Sequence, residues 1–158
     1  MHGQLGALED FAERRPYNAV ADFVDIHIAQ GRGDKIAFID PDRSLTYRDL
    51  QTRSIRFASG LHALGLEHED RIALLLHDTV DYPVAFWGAI RAGIVPIPLN
   101  TFLNAEQYAF ILADSRASAL VIAASLSRTA ADRFDMASSK TSFVSTEVKD
   151  SSVVDTRE

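Results

Sequence analysis

Cysteine is absent from the 158 residues, which excludes a disulfide framework, a thiolate nucleophile and any Cys-ligated zinc or iron–sulfur centre. Glycine is scarce and unevenly placed. The eight glycines stand at positions 3, 6, 31, 33, 60, 65, 88 and 93, leaving the last 65 residues with none. A glycine-rich loop that cradles phosphate with backbone amides therefore has no place beyond Gly93. The five prolines stop at Pro98. Long hydrophobic runs are missing too: the uncharged stretch Tyr82 to Ile90 is far below the ~18–20 residues that span a bilayer. Glu9 and Asp10 stand where a secretory signal keeps its apolar core, so a cytoplasmic chain is expected. Positive charge is in deficit, 16 Lys and Arg against 22 Asp and Glu for a net charge of −6. That balance argues against nonspecific binding to nucleic acid or to an anionic membrane.

What is present describes a folded domain. Hydrophobic residues make up 47% and charged residues 24%, and a free-standing domain of this length buries roughly 68–70% of its unfolded surface. Residues 1–17 read as a polar leader. Asn18 is placed to cap a helix with Val20, Phe23, Val24 and Ile28 on one face, ending near Gly31. Lys35 to Ile39 is a short β-type run stopped by Asp40-Pro41-Asp42-Arg43, and Leu45 belongs to a second strand fragment. Thr46 and Asp49 have the spacing of a capping box, so a helix starts at Tyr47 and Gly65 ends it. Ile72 to Leu76 has no polar alternation and reads as a strand covered on both faces. Asp78 or Thr79 is expected to cap a helix from Val80 to Ala92, closed by Gly93. Ile94 to Pro98 is a strand that its two prolines demote to an edge or a bulge. Asn104 and Gln107 start another helix, to Asp114, and Ala119 to Ala123 is the next buried strand.

This alternation implies an α/β fold, a partial doubly wound, mostly parallel sheet with helices on both faces, over residues 18–124. Residues 125–158 differ. Twelve of those 34 are Ser or Thr, and beyond a short helix over 128–137 no period emerges, so a weakly ordered tail is expected.

Candidate chemistry is sparse. The histidines at 2, 27, 62, 68 and 77 include no i,i+4 pair, which gives poor spacing for a metal. Gly31-Arg32-Gly33 precedes a strand instead of following one and reads as a helix stop. Arg32-Gly33-Asp34, an adhesion-type tripeptide, reads as a polar loop. Ser118 and Ser125 lack the glycine neighbours of a nucleophile elbow. The acidic groups Glu67-Glu69-Asp70 and Asp78/Asp81 fall where loops and helix N-termini favour negative charge. Ligands of a doubly wound sheet bind beyond the carboxyl ends of its strands, which points to His77-Asp78 and Asn100-Thr101. No catalytic, cofactor-binding or metal-ligating residue is assigned.

Three segments carry a resemblance: Leu45 to Leu50 (LTYRDL), Glu69 to Leu74 (EDRIAL) and Phe86 to Asn100 (FWGAIRAGIVPIPLN). In order and spacing, the chain from Asn18 to about Ile122 resembles the start of the adenylate-forming acyl-CoA synthetases. The wording around Asp78 to Pro83 and Ile97 to Asn100 looks most like the benzoate-CoA ligase branch. The resemblance implies a small aromatic carboxylate as substrate, with ATP, Mg and coenzyme A as the family's cofactors. It also implies a two-step reaction, an acyl-adenylate first and then thioester formation. The family's phosphate loop, Y-x-x-T-E segment, ribose-binding Asp and lid lysine have no counterpart here, so the chain is expected to hold no cofactor and to be inactive alone. A prematurely ended coding region, with an altered reading frame near residue 125, is the expected origin. The alternative is a non-catalytic module that pairs with a full-length ligase through an uncovered sheet edge, and marginal solubility is expected in either case.

Overall fold

The computed structural model describes residues 17–126 and the backbone of a further strand over 142–146. The described part begins with a π-helical turn, Ala21–Asp25, continuing into α1, Ile26–Ala29. Asn18 lies just outside it: Oδ1 accepts the Val20 amide at 3.0 Å while Nδ2 donates to the Ile90 carbonyl at 2.7 Å, so one side chain fixes both the helix start and its docking. Gly31 ends the segment at φ 73°, in the left-handed region that glycine enters without a Cβ penalty. An antiparallel hairpin follows, β1 (Ile36–Ile39) and β2 (Ser44–Thr46). It stands apart as its own two-stranded sheet.

Helix α2, Tyr47–Ala63, begins at the expected capping box: Thr46 Oγ1 accepts the Asp49 amide at 3.1 Å and Asp49 Oδ2 accepts the Thr46 amide at 3.2 Å. Its buried face is Leu50, Ser54, Phe57, Ala58 and Leu61. Ser54, a polar member of that stripe, donates to the Gln51 carbonyl and accepts from Arg91, whose guanidinium also grips Asp25 at 2.7 Å. Helix α3, Asp81–Arg91, packs against α2 where Gly88 meets Phe57. A Cβ there would stand 2.7 Å from Phe57 Cδ1, so only glycine permits this helix spacing.

The main sheet is parallel throughout in the order β4-β3-β5-β6, with β3 Arg71–Leu75, β4 Val95–Pro98, β5 Ala119–Ala123 and β6 Ser142–Thr146. Strand β4 is the edge its prolines imply. Val95 donates to Asp70 and Leu99 to Leu74, so by the two-residue period Pro96 and Pro98 fall at positions whose amides would face outward, and the ladder loses nothing. Alternate β3 residues divide the core. Ile72 and Leu74 join α2 and α3 on one face; Ala73 and Leu75 join Tyr108 and Leu112 of α4, Ala105–Ser115, on the other. Helices therefore cover both faces, as in a doubly wound fold. The Asn104–Gln107 box starts α4 with both reciprocal bonds in place. Within the stretch expected to form a weakly ordered tail, Ser142–Thr146 adds to β5 in parallel register; the short helix expected over 128–137 lies outside the described residues.

Candidate functional site

The carboxyl ends of β3, β4 and β5 lie side by side and open onto the loops that precede α3 and α4. The loop after β3 departs from expectation. Neither Asp78 nor Thr79 caps α3; the Val80 amide instead donates to Asp40 Oδ2 at 2.9 Å, a carboxylate from the β1–β2 turn. Asp40 also accepts from the Asp42 and Arg43 amides at 3.0 and 2.7 Å. The Val80 hydrogen bond foremost, then those two amides and the Arg43 charge, hold its carboxyl below the usual range against the opposing effect of burial. Asp81 sits between Arg43 at 2.7 Å and Arg53 at 2.6 Å. One half of the Asp78/Asp81 pair is thus committed to structure, and Asp70 likewise receives the Glu67 amide and the Ser118 hydroxyl.

His77 finds a partner that no local spacing announces. Its Nε2 lies 2.9 Å from Ser125 Oγ, because strand order places β5 directly beside β3. Asn100 is occupied by its own loop: its side chain accepts the Phe102 amide and its carbonyl accepts the Tyr108 hydroxyl at 2.7 Å. Of the residues suggested beyond the strand ends, only Asp78 faces a cavity. That cavity, about 420 Å³, lies between β1 and the start of α3, walled by Phe38, Ile39, Val80, Pro83, Phe86 and Trp87, with Asp78, Thr79 and Tyr82 also facing it. Burial, and then the charge of Asp78, push the Tyr82 phenol up. The remaining described histidines serve the scaffold. His27 stacks on Tyr47 at 3.8 Å, His62 Nδ1 lies 3.2 Å from the Leu66 carbonyl, and His68 lies against Gly93.

These loops do not fit a nucleotide phosphate. A phosphate needs free amides at a helix N-terminus and no competing anion. The first amide of the α3 loop is taken by Asp40, with Asp78 and Asp81 beside it, and the α4 start is closed on itself by Asn104 and Gln107. Among the described residues no group of three His, Asp or Glu is placed to hold a metal, and no helix is long and apolar enough to cross a membrane.

The architecture and its motifs match a known family. The profile of the AMP-binding enzyme family covers residues 26–158. The chain belongs to the AMP-binding enzymes. The 4-hydroxybenzoate–CoA/benzoate–CoA ligase of Rhodopseudomonas palustris (strain ATCC BAA-98 / CGA009) is 60% identical over 111 residues, 70% of this chain and 20% of that protein. The benzoate–CoA ligase of Thauera aromatica is 40% identical over 111 residues, 70% of this chain and 21% of that protein. Among solved structures, a benzoate CoA ligase from Burkholderia xenovorans LB400 superimposes with a TM-score of 0.75 at 35% identity, over 83% of this chain and 26% of that one. The chain spans about a fifth of the length of the curated relatives it matches.

In this chain the three family segments act as scaffold. Leu45 to Leu50 closes β2 and caps α2. Glu69 to Leu74 turns into β3, and Glu69 adopts φ 67° while its amide donates to the Gly93 carbonyl. Phe86 to Asn100 holds the Gly88 contact, the Gly93 stop and the Pro-bearing edge strand.

Proposed function

We propose that this chain is the opening portion of a carboxylate–CoA ligase for a small aromatic acid, and that by itself it does not form the acyl-adenylate. The 60% identity to the 4-hydroxybenzoate–CoA/benzoate–CoA ligase carries the reading. ATP-dependent adenylation of the carboxylate and its transfer to coenzyme A need charge-stabilising donors for phosphate and carboxylate together. The described loops are poorly suited to it: the Val80, Asn104 and Gln107 amides are already bonded, and Asp78, which faces the cavity, has the wrong sign for either anion. The role left to this segment is to seat the rest of a ligase on a rigid α/β platform. Two measurements test it. A chimera carrying residues 18–124 in place of the matching segment of the R. palustris enzyme is expected to keep benzoate–CoA ligase activity within about tenfold, whereas the isolated chain with Mg-ATP and benzoate is expected to give no pyrophosphate exchange into ATP. An inactive but folded chimera refutes the lineage; exchange by the isolated chain refutes the inactivity.

A second reading, a non-catalytic module that docks on a longer ligase, draws on Phe102 and Phe110, which are 93% and 69% exposed. Apolar side chains left this open mark an interaction face. The β4 edge does not contribute, since its prolines present no outward donor at positions 96 and 98.

A further inference from the structure

The cavity beside α3 has a chemistry that an aromatic carboxylate does not explain. At about 420 Å³ it falls in the range of small-molecule sites, roughly 300–1,000 Å³. Its aromatic wall is held in place beforehand. Phe23 stacks on Trp87 at 5.6 Å with the planes 19° apart, and Phe86 meets the same indole edge-on at 5.4 Å and 88°. The indole is therefore fixed from two sides before any ligand arrives, which lowers the entropic cost of binding. Phe38, from β1, completes the wall.

The polar groups are as telling as the rings. Asp81 is neutralised by Arg43 and Arg53, but among the described residues Asp78 has no ion pair or hydrogen bond, although it faces the cavity. An aromatic face is the negative side of its quadrupole, and the free carboxylate adds to that potential. The carboxylate disfavours an anion and favours a cation, and any ring face turned to the cavity acts in the same direction. We propose that the Trp87 cavity binds an arylalkyl-ammonium ion, its ring packed against Phe38, Phe86 and Trp87 and its N–H groups donating to Asp78. The proposal rests on the lining of the cavity and not on the carboxylate reading.

Trp87 is the only tryptophan in the sequence, so its emission reports on the cavity directly. The 158-residue chain is titrated at neutral pH with benzylamine, which is then protonated, and with benzyl alcohol and benzoate as ligands of matching ring but different charge. Benzylammonium is expected to change the emission saturably, with a dissociation constant on the order of millimolar. Benzyl alcohol is expected to bind at least fivefold more weakly and benzoate not to saturate. Asp78 is exposed and bonds to nothing described, so Asp78→Asn is expected to keep the far-UV spectrum and lose at least fivefold in benzylammonium affinity, with calorimetry as the second readout. Equal binding of the alcohol, equal or tighter binding of benzoate, an unchanged affinity in Asp78→Asn, or a merely linear emission change with benzylammonium would each overturn the proposal.

Discussion

At Gly88 a hydrogen atom stands where any other residue places a methyl group, and two helices close over the gap. Alanine there gains about 1 kcal/mol in helix propensity, but its Cβ drives into Phe57 at 2.7 and 2.9 Å, and overpacking of this kind costs about 1–3 kcal/mol. Glu69 is the reverse case. It holds φ 67°, and a side chain in that region costs roughly 1–2 kcal/mol, part of which glycine gives back through its greater freedom when unfolded. The two exchanges are therefore expected to move stability in opposite directions. In urea unfolding, Gly88→Ala lowers the midpoint by the equivalent of up to about 2 kcal/mol, and Glu69→Gly raises it by about 0.5–1 kcal/mol. A stabilised Gly88→Ala or a destabilised Glu69→Gly contradicts these accounts.

Among the elements, α3 is unusual in drawing its first acceptor from a turn 40 residues earlier, through Asp40 and Val80. Because the folded carboxyl titrates below its unfolded value near ~3.9, its stabilisation is fully present above about pH 4 and is lost as pH falls through the folded value. Asp49 behaves alike: hydrogen bonds from Thr46 outweigh the burial that opposes them. Asp40→Asn keeps an oxygen for the Val80 amide but removes the charge. The stability difference between the variant and the parent is expected to be largest at neutral pH and to shrink as pH drops below about 4, as followed by urea midpoints across pH. A pH-independent difference would assign the effect to lost packing instead. The same distance explains what was legible in advance. The caps at Thr46 and Asn104 and the stops at Gly31, Gly65 and Gly93 are local patterns, and each stands where its spacing puts it. The cap on α3 and the His77–Ser125 contact join residues 40 and 48 apart, and these depend on strand order, which no window of sequence contains. Strand β6 escaped for another reason: Ser142-Phe143-Val144-Ser145-Thr146 is too short and too mixed to show a period amid Ser and Thr.

At the scale of the whole molecule, the described residues cover both faces of the sheet and leave several large apolar side chains exposed on each. Ser54, Asp25 and Arg91 tie the π-helical turn, α2 and α3 together over one face, whereas α4 leaves Phe110, and the loop before it Phe102, in solvent. Exposure of this kind favours association without contributing to the fold. Phe102→Ser with Phe110→Ser is expected to reduce concentration-dependent light scattering while shifting the unfolding midpoint by less than about 0.5 kcal/mol; unchanged scattering would place the adhesive surface elsewhere. The site was less legible than the platform. The carboxyl-end rule reached His77-Asp78, but the cavity unites β1 with α3, two elements that belong to different sheets or none. The prolines of β4 have a last consequence. With both turned outward, β4 offers no backbone donor along its free side at those positions, so among the described strands the β6 side is the margin on which a further parallel strand is expected.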